Sequence, residues 1–140
     1  MPRSGWKNQY YTYDSASKLH NKLKEIFISD HFFKQLQCYQ EVPVRDLVVT
    51  YPNGMDAIDW YIDEYNIVIE CHGVQHYKMQ SFGSKDSFFN QKKNFNNIRY
   101  RDNRKKTALI NSGYNFLEIP YIDYSKIDAS YLKQKIFYES

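Results

Sequence analysis

The chain has 140 residues, of which 42% are hydrophobic and 25% are charged, a composition typical of a single globular domain. No apolar run approaches the ~20 residues that a membrane-spanning helix needs, and the N-terminal residues lack the apolar segment of a signal peptide. Two cysteines are too few for a disulfide framework or an all-cysteine zinc module. We therefore expect reduced thiols, no membrane association and a cytoplasmic protein.

Hydrophobic periodicity and turn residues predict the elements in chain order. Residues 1–14 have no periodicity and are interpreted as an N-terminal arm, followed by a single domain over residues 15–140. We predict helices at about 17–29, 96–111 and 123–137, strands at 40–44, 47–50, 55–62, 67–72 and 114–119, and a long polar loop at 73–95. This order predicts an α/β fold, in which a small mixed β-sheet is flanked by helices.

Basic residues are concentrated between residues 78 and 106. This stretch has nine lysines and arginines but two acidic residues, whereas the net charge of the whole chain is only +3. Five aromatic residues are interleaved with the cations. Cations can bind phosphates and rings can stack on bases, so the pattern favours a nucleic-acid surface. A solvated basic loop and helix face would have the same composition.

The two clearest strands predict a hairpin that is symmetric about the Glu64–Tyr65 bond. In this register Asp59 lies opposite Glu70, and alternation places His72 on the same face as Glu70. The other face is apolar and comprises Ile58, Trp60, Ile62, Ile67, Ile69 and Cys71. Two carboxylates facing each other are destabilising unless a positive charge lies between them.

This polar face has the groups of a metal site. A hard divalent cation prefers oxygen ligands such as Asp59 and Glu70. The imidazole of His72 could then act as a general base or hold a metal-bound water. An ordinary solvated strand face is the alternative, although Val68 on the same face suggests that it is partly covered.

Several motifs together resemble the PD-(D/E)xK nuclease superfamily. The stretches 58–62 (IDWYI) and 67–77 (IVIECHGVQHY) are similar to the branch that contains very-short-patch-repair endonucleases and phage-encoded EDxHD homing endonucleases. The segments 101–105 (RDNRK) and 113–121 (GYNFLEIPY) resemble the helix and the exit strand of that branch. The resemblance covers roughly residues 56–121 and implies a restriction-endonuclease-like core.

The resemblance implies roles for the hairpin residues. Asp59 would bind Mg²⁺, Glu70 would be a second ligand together with the backbone carbonyl of Cys71, and His72 would activate water. Asp102 would orient His72 or hold a metal-bound water. The same comparison assigns contacts with the scissile phosphate or the leaving oxygen to two further residues, Gln75 and His76.

The branch takes its first acid from the N-terminal helix, where this chain departs from the pattern. The corresponding position is His20, which we include among the catalytic candidates. Glu25 on the same helix and Glu41 after it are the nearest acids, and the sequence does not decide which residue fills the role. Position 118 is Glu where relatives often carry Arg, so a phosphate contact is expected to be missing there.

Backbone phosphates would be bound by basic residues of the segment described above. We assign this role to Lys78, Lys85, Lys92, Lys93, Arg99, Arg101, Arg104 and Lys105. The expected partner is DNA, with a homodimer or an accessory specificity protein as a further possibility. Resemblance and the Asn, Lys and Tyr bias suggest a phage or mobile-element origin, which would place the protein in the host cytoplasm.

The sequence therefore predicts a DNA endonuclease that depends on Mg²⁺, for which Mn²⁺ may substitute. Three alternatives remain open. One is a junction, flap or RNA nuclease on the same scaffold. Another is a DNA-binding module that has lost the chemistry. The last is an interaction protein whose basic loop binds an acidic partner.

Overall fold

The computed structural model describes residues 5–73 and 88–139, with side chains described for residues 5–73 and 96–138. The helices and strands, in chain order, are β1 (Lys7–Asn8), α1 (Lys18–Ser29), β2 (Cys38–Pro43), α2 (Val44–Leu47), β3 (Ala57–Ile62), β4 (Ile67–His72), α3 (Phe88–Asn111), β5 (Asn115–Pro120) and α4 (Ala129–Gln134). Single turns of 3₁₀ helix lie at Phe33–Gln35 and Asp63–Tyr65, a longer one at Tyr121–Lys126, and a π-helical turn at Lys135–Glu139. In the described part of the chain, no helix has the length and apolar character needed to cross a membrane.

The five strands form one mixed sheet in the order β1-β2-β3-β4-β5. Neighbouring strands from β1 to β4 are antiparallel, whereas β5 pairs with β4 in parallel. The pairs Trp60–Ile69, Tyr61–Val68 and Ile62–Ile67 have the register that the hairpin symmetry predicts. The predicted small mixed sheet flanked by helices is thereby confirmed.

Helices cover both faces of the sheet because each face carries its own apolar cluster. On one face, Trp60 and Ile69 pack against Leu23 and Phe27 of α1 and against Leu132 of α4. The other face is covered by α2 and α3. Its cluster comprises Val42, Val44, Tyr51, Ile58, Tyr61, Val68 and Leu109. The carboxylate hairpin thus lies between two helical layers.

The N-terminal arm is part of the sheet. Lys7 and Asn8 pair with Gln40 and Tyr39 of β2. Gln9 is 2% exposed, and its side-chain amide donates to the carbonyl of Leu36 at 2.9 Å. The absence of periodicity in this stretch did not indicate strand β1, because side-chain anchoring holds it against the sheet.

Residues 47–50 form no strand, contrary to the prediction. The amide of Val48 donates to the carbonyl of Val44 at 2.8 Å, so the chain turns helically directly after β2. Arg45 then binds the carbonyls of Tyr51 and Pro52, at 3.0 and 2.6 Å, which fixes the following loop. The β-branched residues 48–50 predict a strand, but the backbone hydrogen bonds here join residues only three or four positions apart.

Two helix boundaries also differ from the prediction. The basic helix α3 begins at Phe88, so the predicted loop extends too far, since lysine and glutamine are good helix formers. The predicted closing helix is divided, because the side chain of Asp128 accepts from the amide of Tyr131 at 2.7 Å and starts α4 there.

Candidate metal-binding site

A local distortion of β2 and β3 positions the first carboxylate. Glu41 has a φ of 51°, a left-handed conformation that is uncommon for residues other than glycine. The paired residues of β2 and β3 skip Glu41 and Asp59. Ile58 packs towards α3 whereas Trp60 packs towards α1. The prediction that Ile58 shares a face with Trp60 is wrong, because this distortion interrupts the alternation at Asp59.

Asp59 and Glu70 are directly adjacent to the last paired residues of β3 and β4, Trp60 and Ile69, and their carboxyl groups interact. The amide of Cys71 donates to Asp59 Oδ2 at 2.6 Å. Burial would raise the pKa of Asp59, but His20, Glu70 and this amide outweigh it and lower the pKa. Burial and the negative charge of Asp59 raise the pKa of Glu70 well above its ordinary value. The pKa values of the two carboxyl groups are therefore shifted in opposite directions.

Lys105 of α3 supplies a positive charge beside this pair. Its Nζ lies 2.9 Å from Glu70 Oε1 and donates to the carbonyl of Ala57 at 3.2 Å. This contact joins two largely buried side chains, since Lys105 is 13% exposed and Glu70 is 6% exposed. Burial lowers the pKa of Lys105, but Glu70 outweighs it and raises the pKa, so the side chain stays an ammonium.

His20 enters the site from the first turn of α1. Ser17 caps this helix by accepting from the His20 amide at 3.1 Å. The ring lies 2.7 Å from Gln40 Oε1 through Nε2. Its Nδ1 points between Asp59 Oδ1 at 3.9 Å and Glu41 Oε1 at 4.0 Å, distances too long for hydrogen bonds. Burial disfavours the charged ring, but the interactions with Asp59 and Gln40 outweigh it and raise the pKa of His20.

These groups border a cavity of about 740 Å³ between α1 and α3. Asp59, Glu70, His20 and Glu41 are in its wall, and Asp102 and Lys105 line it from α3. The exposed Arg101 lies at its edge. With Asp56 and Lys18, the cavity thus combines five acids, an imidazole and three cations in one concave surface. Such an arrangement can hold a cation and bind an anionic substrate beside it.

His72 lies in a second, smaller cavity of about 160 Å³. Its Nδ1 is 3.7 Å from Glu118 Oε2, and Lys106 Nζ is 2.7 Å from Glu118 Oε1. Glu118 therefore contacts an imidazole and an ammonium, in a place where the sequence predicted a missing phosphate contact. Glu70, Asp102 and Lys105 line both cavities, so they form the wall between His72 and the larger site.

The structure brings five of the seven predicted catalytic residues into these two adjoining cavities. They are His20, Asp59, Glu70, His72 and Asp102. The other two, Gln75 and His76, lie outside the described residues. Cys71 lines the larger cavity, and its backbone amide is the group that contacts Asp59.

The predicted phosphate-binding residues are in different situations. Arg99 and Arg101 are exposed. Arg104 lies 2.8 Å from Asp56 through Nη2, and the side chain of Lys105 is only 13% exposed, so both contact acidic groups of the protein itself. Lys78 and Lys85 lie outside the described residues, and the side chains of Lys92 and Lys93 do so as well.

The sequence indicates only some members of one group of possible metal ligands. His20, Glu41 and Asp59 each offer one ligand atom, and these atoms all lie within 4.8 Å of one another, so the group could hold a metal ion. Glu41 has no motif around it, and its place follows from a backbone conformation that no pattern predicts. No protein family and no curated protein matches this chain in sequence.

Proposed function

We propose that the protein is a metal-dependent DNA endonuclease with a restriction-endonuclease-like PD-(D/E)xK core, close to the very-short-patch-repair type. It hydrolyses phosphodiester bonds to a 5′-phosphate and a 3′-hydroxyl, as the resemblance implies. The observation that carries the proposal is the pair Asp59–Glu70 on adjacent strands, with the ammonium of Lys105 2.9 Å from Glu70.

The residues present fit the divalent cation that such chemistry uses. Asp59 and Glu70 bring two carboxylates together on adjacent strands, and the negative charge of Asp59 raises the pKa of Glu70, a repulsion that a cation between them would relieve. Carboxylate oxygens are the ligands that Mg²⁺ prefers, and Mn²⁺ substitutes in such sites. A bound Mg²⁺ would supply charge neutralisation at the scissile phosphate.

Side chains from α3 complete the proposed mechanism. Lys105 remains an ammonium and stabilises negative charge that develops on the phosphate oxygens. Asp102 orients the attacking water from the wall that the two cavities share, and His72 acts from the smaller cavity beside it. The exposed Arg101 at the edge of the larger cavity binds a backbone phosphate of the substrate.

The test is cleavage of supercoiled plasmid by the wild type and by Asp59→Asn, with Mg²⁺, Mn²⁺ or EDTA. We expect nicking or linearisation by the wild type with either metal, no product with EDTA, and no product with the variant. Asp63→Asn is the matched control, because Asp63 begins the 3₁₀ turn after the same strand, away from the cavity. It should cleave like the wild type.

Two outcomes would overturn the proposal. Equal cleavage by Asp59→Asn would show that the activity does not come from this site. Binding of DNA without cleavage, on substrates that include junctions, flaps and mismatched duplexes, would identify a non-catalytic DNA-binding module. Preferential cleavage of RNA would keep the chemistry and change the substrate.

A further inference from the structure

The side-chain amide of Gln40 has a fixed orientation. One atom of this amide lies 2.8 Å from the carbonyl oxygen of Asn8 and 2.7 Å from that of Tyr11. Carbonyl oxygens only accept, so this atom is the NH₂ group and both of its hydrogens are used. The remaining atom, Oε1, is therefore an acceptor and faces His20. Gln40 is 2% exposed, so it does not exchange these partners for water.

This orientation determines which nitrogen of His20 is free to bind. Because Gln40 Oε1 can only accept, His20 Nε2 must carry a hydrogen and donate it across the 2.7 Å contact. In the neutral ring, Nδ1 then keeps its lone pair. The side chain of His20 is only 3% exposed, and Nδ1 lies between Asp59 Oδ1 and Glu41 Oε1. A fixed hydrogen-bond acceptor on the other ring nitrogen is how proteins hold a metal-binding histidine.

The spacing of the three ligand atoms suits a metal ion after a small closure. Ligands ~2.1 Å from an ion lie ~3.0–3.5 Å from one another at octahedral or tetrahedral angles. The observed separations from His20 Nδ1 are 3.9 and 4.0 Å. The side chain of Glu41 is 44% exposed and can move inwards, whereas His20 is held in the core.

We propose that His20 Nδ1, Glu41 and Asp59 form a site that prefers first-row transition-metal ions to Mg²⁺, with Gln40 as the residue that positions His20. Mg²⁺ favours sites made of oxygen ligands alone, and an imidazole nitrogen shifts the preference towards transition metals. The catalytic role of this metal site rests on the proposed function, because Asp59 belongs to the metal site and to the proposed nuclease site. Binding itself is measured without DNA, so the two proposals fail separately.

The test measures Mn²⁺ binding to the full chain by electron paramagnetic resonance, with Mg²⁺ as the competitor. We expect Mn²⁺ to bind at least tenfold more tightly than Mg²⁺, and pulsed measurements to detect the coupling of one ¹⁴N nucleus to the bound ion. His20→Asn replaces the nitrogen by an amide oxygen, and should lose both the coupling and the preference. His31→Asn is the matched control, because His31 is exposed and lies outside the cavity.

A second variant keeps the inference testable if His20→Asn does not fold. Glu41→Gln should keep the ¹⁴N coupling and weaken Mn²⁺ binding by about tenfold, since it removes one charged ligand from a partly exposed position. Comparable affinities for Mn²⁺ and Mg²⁺, coupling that survives in His20→Asn, or unchanged binding by Glu41→Gln would each overturn the inference. Cleavage of DNA with none of these signatures would leave only the nuclease proposal standing.

Discussion

The basic side chains of α3 differ in function because they differ in burial. Lys105 is directed inwards to Glu70, Arg104 is bound to Asp56, and Arg101 remains exposed at the edge of the cavity. A count of charges in sequence treats all three alike. Because they lie at different positions around the helix, Lys105 contacts the site, Arg104 links the helix to the start of β3, and Arg101 can reach a ligand.

Substitution of Lys105 distinguishes these roles. In Lys105→Met we expect kcat for DNA cleavage to fall by about 10²–10³-fold, with a smaller change in KM, because a preorganised charge acts mainly in the transition state. Steady-state kinetics on a defined duplex measures both constants. Lys34→Met, on the exposed surface away from the cavity, should leave both unchanged. A change in KM alone would indicate the phosphate contact that the sequence suggested.

The sequence predicted some individual residues of the site but not others. Asp59 and Glu70 were placed opposite each other by the symmetry of the hairpin, and the strand pairing has that register. His20 was included because helical spacing put it where an acid was expected. The sequence left Glu41 as one of two nearby acids, because its position depends on a left-handed backbone conformation. The inward direction of Lys105 could not be predicted, because it depends on the rotation of α3 against the sheet.

Among the elements, α1 both packs the core and carries His20, one of the proposed metal ligands. Its apolar residues Leu19, Leu23 and Phe27 are buried, and Ser17 caps its first turn. Spacing and capping predicted this helix well because both signals are local. The α2 turn and the division before α4 were not predicted, because they depend on hydrogen bonds of Val44 and Asp128 that compete with regular structure.

The cap of α1 can be tested by its own substitution. Ser17→Ala removes the acceptor for the His20 amide and should lower the free energy of unfolding by about 1 kcal/mol. Because the same turn carries His20, Mn²⁺ affinity should fall as well. Chemical denaturation and metal titration provide the two measurements. Ser15→Ala, just outside the helix, should change neither, and an equal loss in both variants would refute the role of the cap.

For the whole molecule, the contact between the start of β3 and α3 joins the sheet to its helical layer. Asp56 Oδ2 accepts from the hydroxyl of Tyr51 at 2.5 Å and lies 2.8 Å from Arg104 Nη2. Burial would raise the pKa of Asp56, but these two partners outweigh it and lower the pKa below its ordinary value of 3.8. The folded protein thus keeps this carboxylate ionised at a pH where the unfolded chain has protonated it.

This difference predicts a contribution to acid stability. The stabilisation is fully present above about pH 4 and is lost as the pH falls through the lower folded-state pKa of Asp56. In Asp56→Asn we expect a lower free energy of unfolding at neutral pH, and a difference from the wild type that narrows as the solution becomes more acidic. Urea denaturation over a series of pH values measures it. A difference independent of pH would contradict the assignment.

The parallel pairing of β5 with β4 has a consequence for the order of folding. The hairpin of β3 and β4 closes through a short turn and brings Asp59 and Glu70 together early. A parallel partner requires the chain to cross over through α3, and this long loop must be closed before β5 can dock. Asp102 and Lys105 are part of this crossover, because both lie in α3. We therefore expect Asp59 and Glu70 to meet well before Lys105 docks beside them. A partly folded or nascent chain would then have this pair of carboxylates but not the complete site.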